Sequence, residues 1–184
     1  MIGLITAPRP ARLAYASIAA LYESYHELFI CTGFSRTVGS ECGMSIELID
    51  RHFLHLVGLG RPGCKKGTMD MRDEKSRILS CRDGFLDYEH DAGRSTLLPA
   101  TLDCLLSPHI VVLMKNPQSG THSFFKHFDG GPYPVIQVLV GPSESGTLIP
   151  VTSFQTRLRQ AKGRVRDNDI VWVHPELEVE EKTA

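Results

Sequence analysis

The sequence predicts an α+β fold with N-terminal helices packed on a four-stranded antiparallel sheet. Three observations carry that expectation. Apolar residues recur at helical spacing between Ala11 and Ile30. A short alternating stretch, Ser45–Ile49, leads into an apolar run that Asp50 can cap. The last third of the chain holds four short apolar runs joined by turns bearing Gly or Pro.

Residues 1–10 contain Pro8 and Pro10 and form a lead-in. In the first helix Ala14, Ile18, Leu21, Tyr22, Tyr25, Leu28 and Phe29 make one apolar face. Thr32–Gly43 is rich in Gly, Ser and Thr and reads as a loop. Ser45–Ile49 is a strand, and the Asp50-capped helix runs through His52–Val57 to a stop near Gly58–Gly60. A polar insertion near 61–95 follows, with a short helix over Met71–Leu79 and the acids Asp83, Asp87, Glu89 and Asp91. Thr96–Leu106 is a helix entered through Pro99 and closed before Pro108. The four runs are His109–Lys115, His122–Phe128, Tyr133–Val140 and Leu148–Phe154, and together they read as an antiparallel meander. One domain therefore covers 11–157. The extension 158–184 reads as a basic linker, an edge strand at Ile170–Val173 and an acidic tail from Glu176.

Composition narrows the class. With 184 residues, 42% hydrophobic and 22% charged, the chain is globular and long enough to bury a core. Its longest apolar stretch, Leu13–Leu21, is interrupted by Ser17 and too short to span a bilayer. With no signal-peptide pattern, a cytoplasmic location and no membrane partner are expected. The five cysteines include no C-x-x-C pair, which argues for free thiols and against a disulfide framework or zinc ribbon. G-x-x-x-x-G-K and G-x-S-x-G patterns do not occur, which weighs against P-loop and α/β-hydrolase classes. No metal and no cofactor are expected.

The formal net charge is −1, but its parts are segregated. Arg157, Arg159, Lys162, Arg164 and Arg166 follow one another without an intervening acid, and six bases between Arg61 and Arg77 outnumber Asp70, Asp73 and Glu74. Such segments are either solvated surface or the rim of a polyanion site. His52 and His55 share a helix face at i, i+3. They suit core packing or acid/base work near neutral pH better than zinc, which would need a third ligand. If helices cover one face of the sheet, polar residues such as Lys126, His127, Thr152 or Ser153 are candidates for the open one, with Lys126 and His127 on opposite faces by alternation, as are Thr152 and Ser153.

Two of these stretches resemble a known group. Ser45–Leu59, with its motif His55-Leu56-Val57-Gly58-Leu59, is similar to the opening segment of phage-borne nucleases of the barnase–EndoU–colicin–RelE superfamily. Ile149–Phe154 resembles their closing strand, and the resemblance covers 11–157. It implies a barnase- or RelE-like fold and a metal-independent endoribonuclease, a toxin or phage effector, that cleaves RNA by attack of the 2′-OH. By position, His55 would be the general acid/base and His52 its partner. Lys126 would be the strand cation, and Thr152 and Ser153 would supply hydroxyls to phosphate. The basic segments add Arg157, Arg159, Lys65 and Lys66 as RNA-binding candidates. The partners implied are RNA and a cognate inhibitor or host protein. The alternative is a non-catalytic module on the same fold that binds a phage or host protein. Nucleotide transfer such as ADP-ribosylation would need a strand Glu beside an Arg/His pair, which the sequence does not offer.

Overall fold

The computed structural model describes residues 2–3, 5–50, 52–57, 92–115, 120–143 and 146–177. The first helix, α1, spans Ile18–Tyr25 and starts at Ser17, whose Oγ accepts the Ala20 N–H at 3.2 Å. It runs on as a π-helical turn, His26–Ile30, which ends at Cys31 with φ +67°. That turn buries Phe29 and Ile30 together, and Phe29 stacks on Tyr25 at 4.7 Å. Strand β1, Ser35–Gly39, arises inside the segment expected to be a loop. Only Val38 of β1 is buried, so its composition carries little strand signal. It forms a hairpin with β2, Ser45–Ile49, with Ser35 opposite Ile49 and Gly39 opposite Ser45.

Helix α2 covers His52–Leu56. The Asp50 carbonyl accepts the Phe53 N–H, while the Asp50 carboxyl takes a hydrogen bond from Tyr22 instead of capping the helix. Two helices follow, α3 at Ala92–Ser95 and α4 at Leu98–Leu106, the latter with Pro99 in its first turn. Then come β3 (Ile110–Leu113), β4 (His122–His127), β5 (Val135–Pro142) and β6 (Leu148–Thr156). Helix α5 (Leu158–Arg166) and strand β7 (Asp169–Val173) close the described chain.

The strands form one seven-stranded mixed sheet in the order β1-β2-β6-β5-β4-β3-β7. This corrects the expected four-stranded antiparallel, barnase/RelE-like sheet. Strands β3 to β6 do pair antiparallel in sequence order. However, β2 lies parallel to β6 on one side, and β7 lies antiparallel to β3 on the other. The cause is burial. Ile46 and Leu48 of β2 are fully buried, which β2 achieves by joining the edge that β6 would otherwise expose. A parallel pair is open to these strands because the long connection between them can cross over. Among the described residues, no helix is long and apolar enough to cross a membrane.

Both faces of the central strands are covered. On one face Val111, Phe124, Ile136 and Val138 pack with Tyr25, Phe29, Phe53 and Leu105 from the helices. On the other, Ile110, Val112, Phe125 and Val135 pack with Ala161 and Val165 of α5 and with Ile2 and Leu177. The segment that reads as a basic linker is thus a helix seated on the sheet. Phe53 is fully buried, with its ring edge-on to Tyr22 at 5.3 Å and 5.4 Å from Tyr25. Urea unfolding should show Phe53→Ala costing about 3–5 kcal/mol. Phe34→Ala, at a residue 79% exposed, should stay within about 0.5 kcal/mol.

Candidate nucleic-acid interface

Helix α5 owes its position to Leu158, Ala161 and Val165, which fall three and four residues apart and enter the second core cluster. Seating that stripe turns Arg159, Lys162 and Arg166 outward, and all three are exposed. Arg157 precedes the helix in extended backbone, and no side chain caps the first turn. Arg157, Leu158, Arg159, Gln160, Lys162, Gly163 and Arg166 line an open groove of about 880 Å³. Among the described residues no carboxylate pairs with Arg157, Arg159 or Lys162. Arg166 meets Asp167 at 3.1 Å, but both are exposed, so water and salt screen that pair. The positive end of the α5 dipole adds to the field at the Arg157 end.

Arg164 points the other way. It donates to Gln137 Oε1 and lies 5.1 Å over the Phe154 ring, while Gln137 Nε2 donates to Ser123 Oγ at 2.7 Å. At the Arg157 end, Tyr133 is 40% exposed and carries the Arg157 guanidinium 5.5 Å from its ring centroid. Arg9 Nη2 donates to the Tyr133 carbonyl at 2.8 Å, bringing a second cation to the same corner. Partial burial, then the nearby Arg12 charge, lowers the Arg9 pKa from its usual value.

The residues expected to do chemistry are distributed differently. Lys126 is on the face that α4 covers. Its side chain is 6% exposed and its Nζ sits 3.1 Å from Asp103 Oδ1. Ser153 is buried, with its Oγ 2.7 Å from Thr101 Oγ1 on α4. Thr152 Oγ1 accepts from Arg94 Nη2 at 2.5 Å, and Arg94 Nε donates to the Ser153 carbonyl at 2.9 Å. The two neighbouring hydroxyls are therefore held by different helices and do not converge. His52 is buried at the start of α2, a helix that packs against β6. His55 lies in α2 by its backbone, but its side chain falls outside the described residues, as do Lys65 and Lys66. Arg157 and Arg159 both reach the groove. Lys162 and Arg166 join them at the i+3 and i+7 positions from Arg159, a spacing the sequence already held. Tyr133 and Arg94 had no local signal.

A second polar cluster lies at the start of β3. His109 is buried, and its Nδ1 accepts the His127 N–H at 3.2 Å, which leaves the ring proton on Nε2. The His109 carbonyl accepts the His174 N–H at 2.8 Å, and the two rings sit 6.0 Å apart. Burial, then the nearby Lys126, His174 and His127 charges, pushes the His109 pKa down to about 4. At neutral pH His109 is an uncharged acceptor. Burial raises the Cys104 thiol far out of its reactive range, and raises the carboxyl of Asp50 and the phenol of Tyr25. Among the described residues, no group of three or more His, Cys, Asp or Glu side chains is placed to hold a metal ion.

The fold is therefore a strand-rich α+β sheet carrying one basic helical face. No family model, no curated protein and no solved structure matches the chain.

The low His109 pKa gives a signed pH dependence. An unfolded His binds its proton near pH ~6.5, and the folded one near 4. The unfolded state takes up more protons in that window, so stability is full above ~6.5 and falls as the pH drops toward 4. Between pH 7.5 and 5.0 the loss from this group should be about 2 kcal/mol in urea midpoints. His109→Asn, which keeps an acceptor but cannot titrate, should show a loss smaller by about that amount.

Proposed function

We propose that this protein binds RNA through the basic face of α5. The observation that carries the proposal is the row Arg157, Arg159 and Lys162, which have no carboxylate partner among the described residues, continued by Arg166 along one groove of a chain whose formal net charge is only −1. Lys and Arg neutralising phosphates release condensed counterions, and that release drives association. A membrane surface suits this helix less well. Its apolar stripe of Leu158, Ala161 and Val165 is committed to the core and has nothing left to insert among acyl chains.

Cleavage of RNA at a second place, across the sheet from α5, is a second reading, supported by one observation. Arg94 is held at Thr152 and Ser153 on β6, the strand against which α2, bearing His52 and His55, packs. In that reaction a His takes the proton of the 2′-OH, the oxygen attacks the adjacent phosphorus, and the departing 5′-oxygen receives a proton. Arg94 offsets charge on the phosphate. Lys126 and Ser153 serve as buried structural partners and take no part.

RNA affinity should fall with salt with a log–log slope of about −2 to −3, from three or four phosphate contacts at about −0.7 each. Arg159→Ala should flatten that slope by about 0.7. Absence of binding at low salt would remove the RNA reading. Incubation with RNA in EDTA should yield 2′,3′-cyclic phosphate ends that His55→Ala abolishes. Binding without product would leave an RNA-binding protein and remove the cleavage reading. A stoichiometric protein partner without RNA binding would instead support a protein-binding module.

A further inference from the structure

We infer that the α5 groove takes a single strand, with one unstacked base lying on Tyr133 and the following phosphates on Arg159, Lys162 and Arg166. This rests on the RNA-binding reading and narrows its ligand. The proposed surface joins the groove to Tyr133, which lies beyond the groove lining and meets it through Arg157. Along α5 the stripe from Arg159 to Arg166 covers about 10 Å of helix axis and offers charge alone. At its Arg157 end stands an aromatic ring that is exposed and already engaged on one side by a guanidinium. Charge beside an exposed ring is the combination that single strands use, because every base has a π-face and only an unpaired strand can present it.

The platform is built in place. Arg9 anchors the Tyr133 carbonyl, and the adjacent Pro134 carbonyl accepts the Phe128 N–H at 2.8 Å. The turn before Tyr133 is made by Gly130 and Gly131, at φ +76° and +77°, and a Cβ built on either would meet nothing within 4 Å. A backbone held before binding adds little ordering cost when a base lands on the ring it carries. Phe154 on β6 already carries the Arg164 guanidinium 5.1 Å from its ring centroid. A duplex would meet the charged stripe but would leave Tyr133 unused, since its bases are already stacked and paired. An acidic peptide would likewise use the charge and leave the ring idle.

Fluorescence polarisation with 2′-O-methyl strands, which cannot supply an attacking hydroxyl, separates these cases. The probes are a labelled oligouridine, a self-complementary duplex of equal length and polyglutamate. The single strand should bind at least about 10-fold tighter than the duplex. Tyr133→Ala should weaken the single strand about 5- to 100-fold and leave duplex binding and the salt slope unchanged. Tyr133→Phe should bind as the parent does. The double variant Arg159→Glu with Lys162→Glu should weaken both nucleic acids. An unchanged urea midpoint for Tyr133→Ala would show that the effect is local. Equal binding of strand and duplex, or no effect of Tyr133→Ala, would overturn the single-strand inference while leaving RNA binding intact. Binding of polyglutamate but of neither nucleic acid would overturn both.

Discussion

Strands β4 and β5 are buried on both faces, and the rest of the structure is arranged to keep them so. From Ser123 to His127, and from Val135 to Val138, every position is shielded from water. A sheet with no wet face needs cover on two sides. Helices α1, α2 and α4 supply it on one side, and α5 supplies it on the other together with Ile2 and Leu177. Polar groups caught between these layers must find partners, because an unsatisfied one is expensive inside a protein. Lys126 takes Asp103, Ser153 takes Thr101, Gln137 joins Ser123 to Arg164, and His127 donates to His109. Removing one partner of such a pair would leave the other buried and unsatisfied.

The same constraint shapes the functional surface. Because α5 must seat its apolar stripe on the sheet, its remaining arc has to face water, and that arc holds Arg159, Lys162 and Arg166. The helix cannot turn or lift without uncovering Phe125 and Val135. Its charges are therefore presented in a fixed row, and Arg157 with Tyr133 closes one end of it. Near-neutral total charge coexists with a basic patch because the acids, Asp167 beside Arg166 excepted, are elsewhere in the chain. Exposed cations held apart from carboxylates repel one another, a cost that binding an anion relieves.

Much of the secondary structure was legible. Ser45–Ile49 is a strand with the bounds its alternation suggests, and the helix after Asp50 and the runs from His109 onward also lie where the pattern places them. Strand β1 was hidden because only Val38 of it enters the core. The extent and mixed character of the sheet were hidden because alternation reports one-sided burial and carries no information about which strands meet. Ile46 and Leu148, partners across the parallel junction, are far apart in sequence. Two-sided burial also undid the reading of Lys126 as a residue on an open face. Within the site, Arg157 and Arg159 stood out by charge alone, and Lys162 and Arg166 follow once α5 is known to be a helix. Tyr133 against Arg157, and Arg94 against Thr152 across 58 residues, are tertiary contacts with no local pattern to announce them.

The central claim is that the exposed arc of α5 and the ring of Tyr133 form one binding surface. NMR titration of the labelled protein with a 2′-O-methyl oligouridine tests it most directly. Shifts concentrated on the amides of residues 159–166 and on the Tyr133 ring, with the β1–β2 hairpin unmoved, are the expected result. Shifts confined to α2, β1 or β2 with α5 unchanged, or no shifts at low salt, would contradict it.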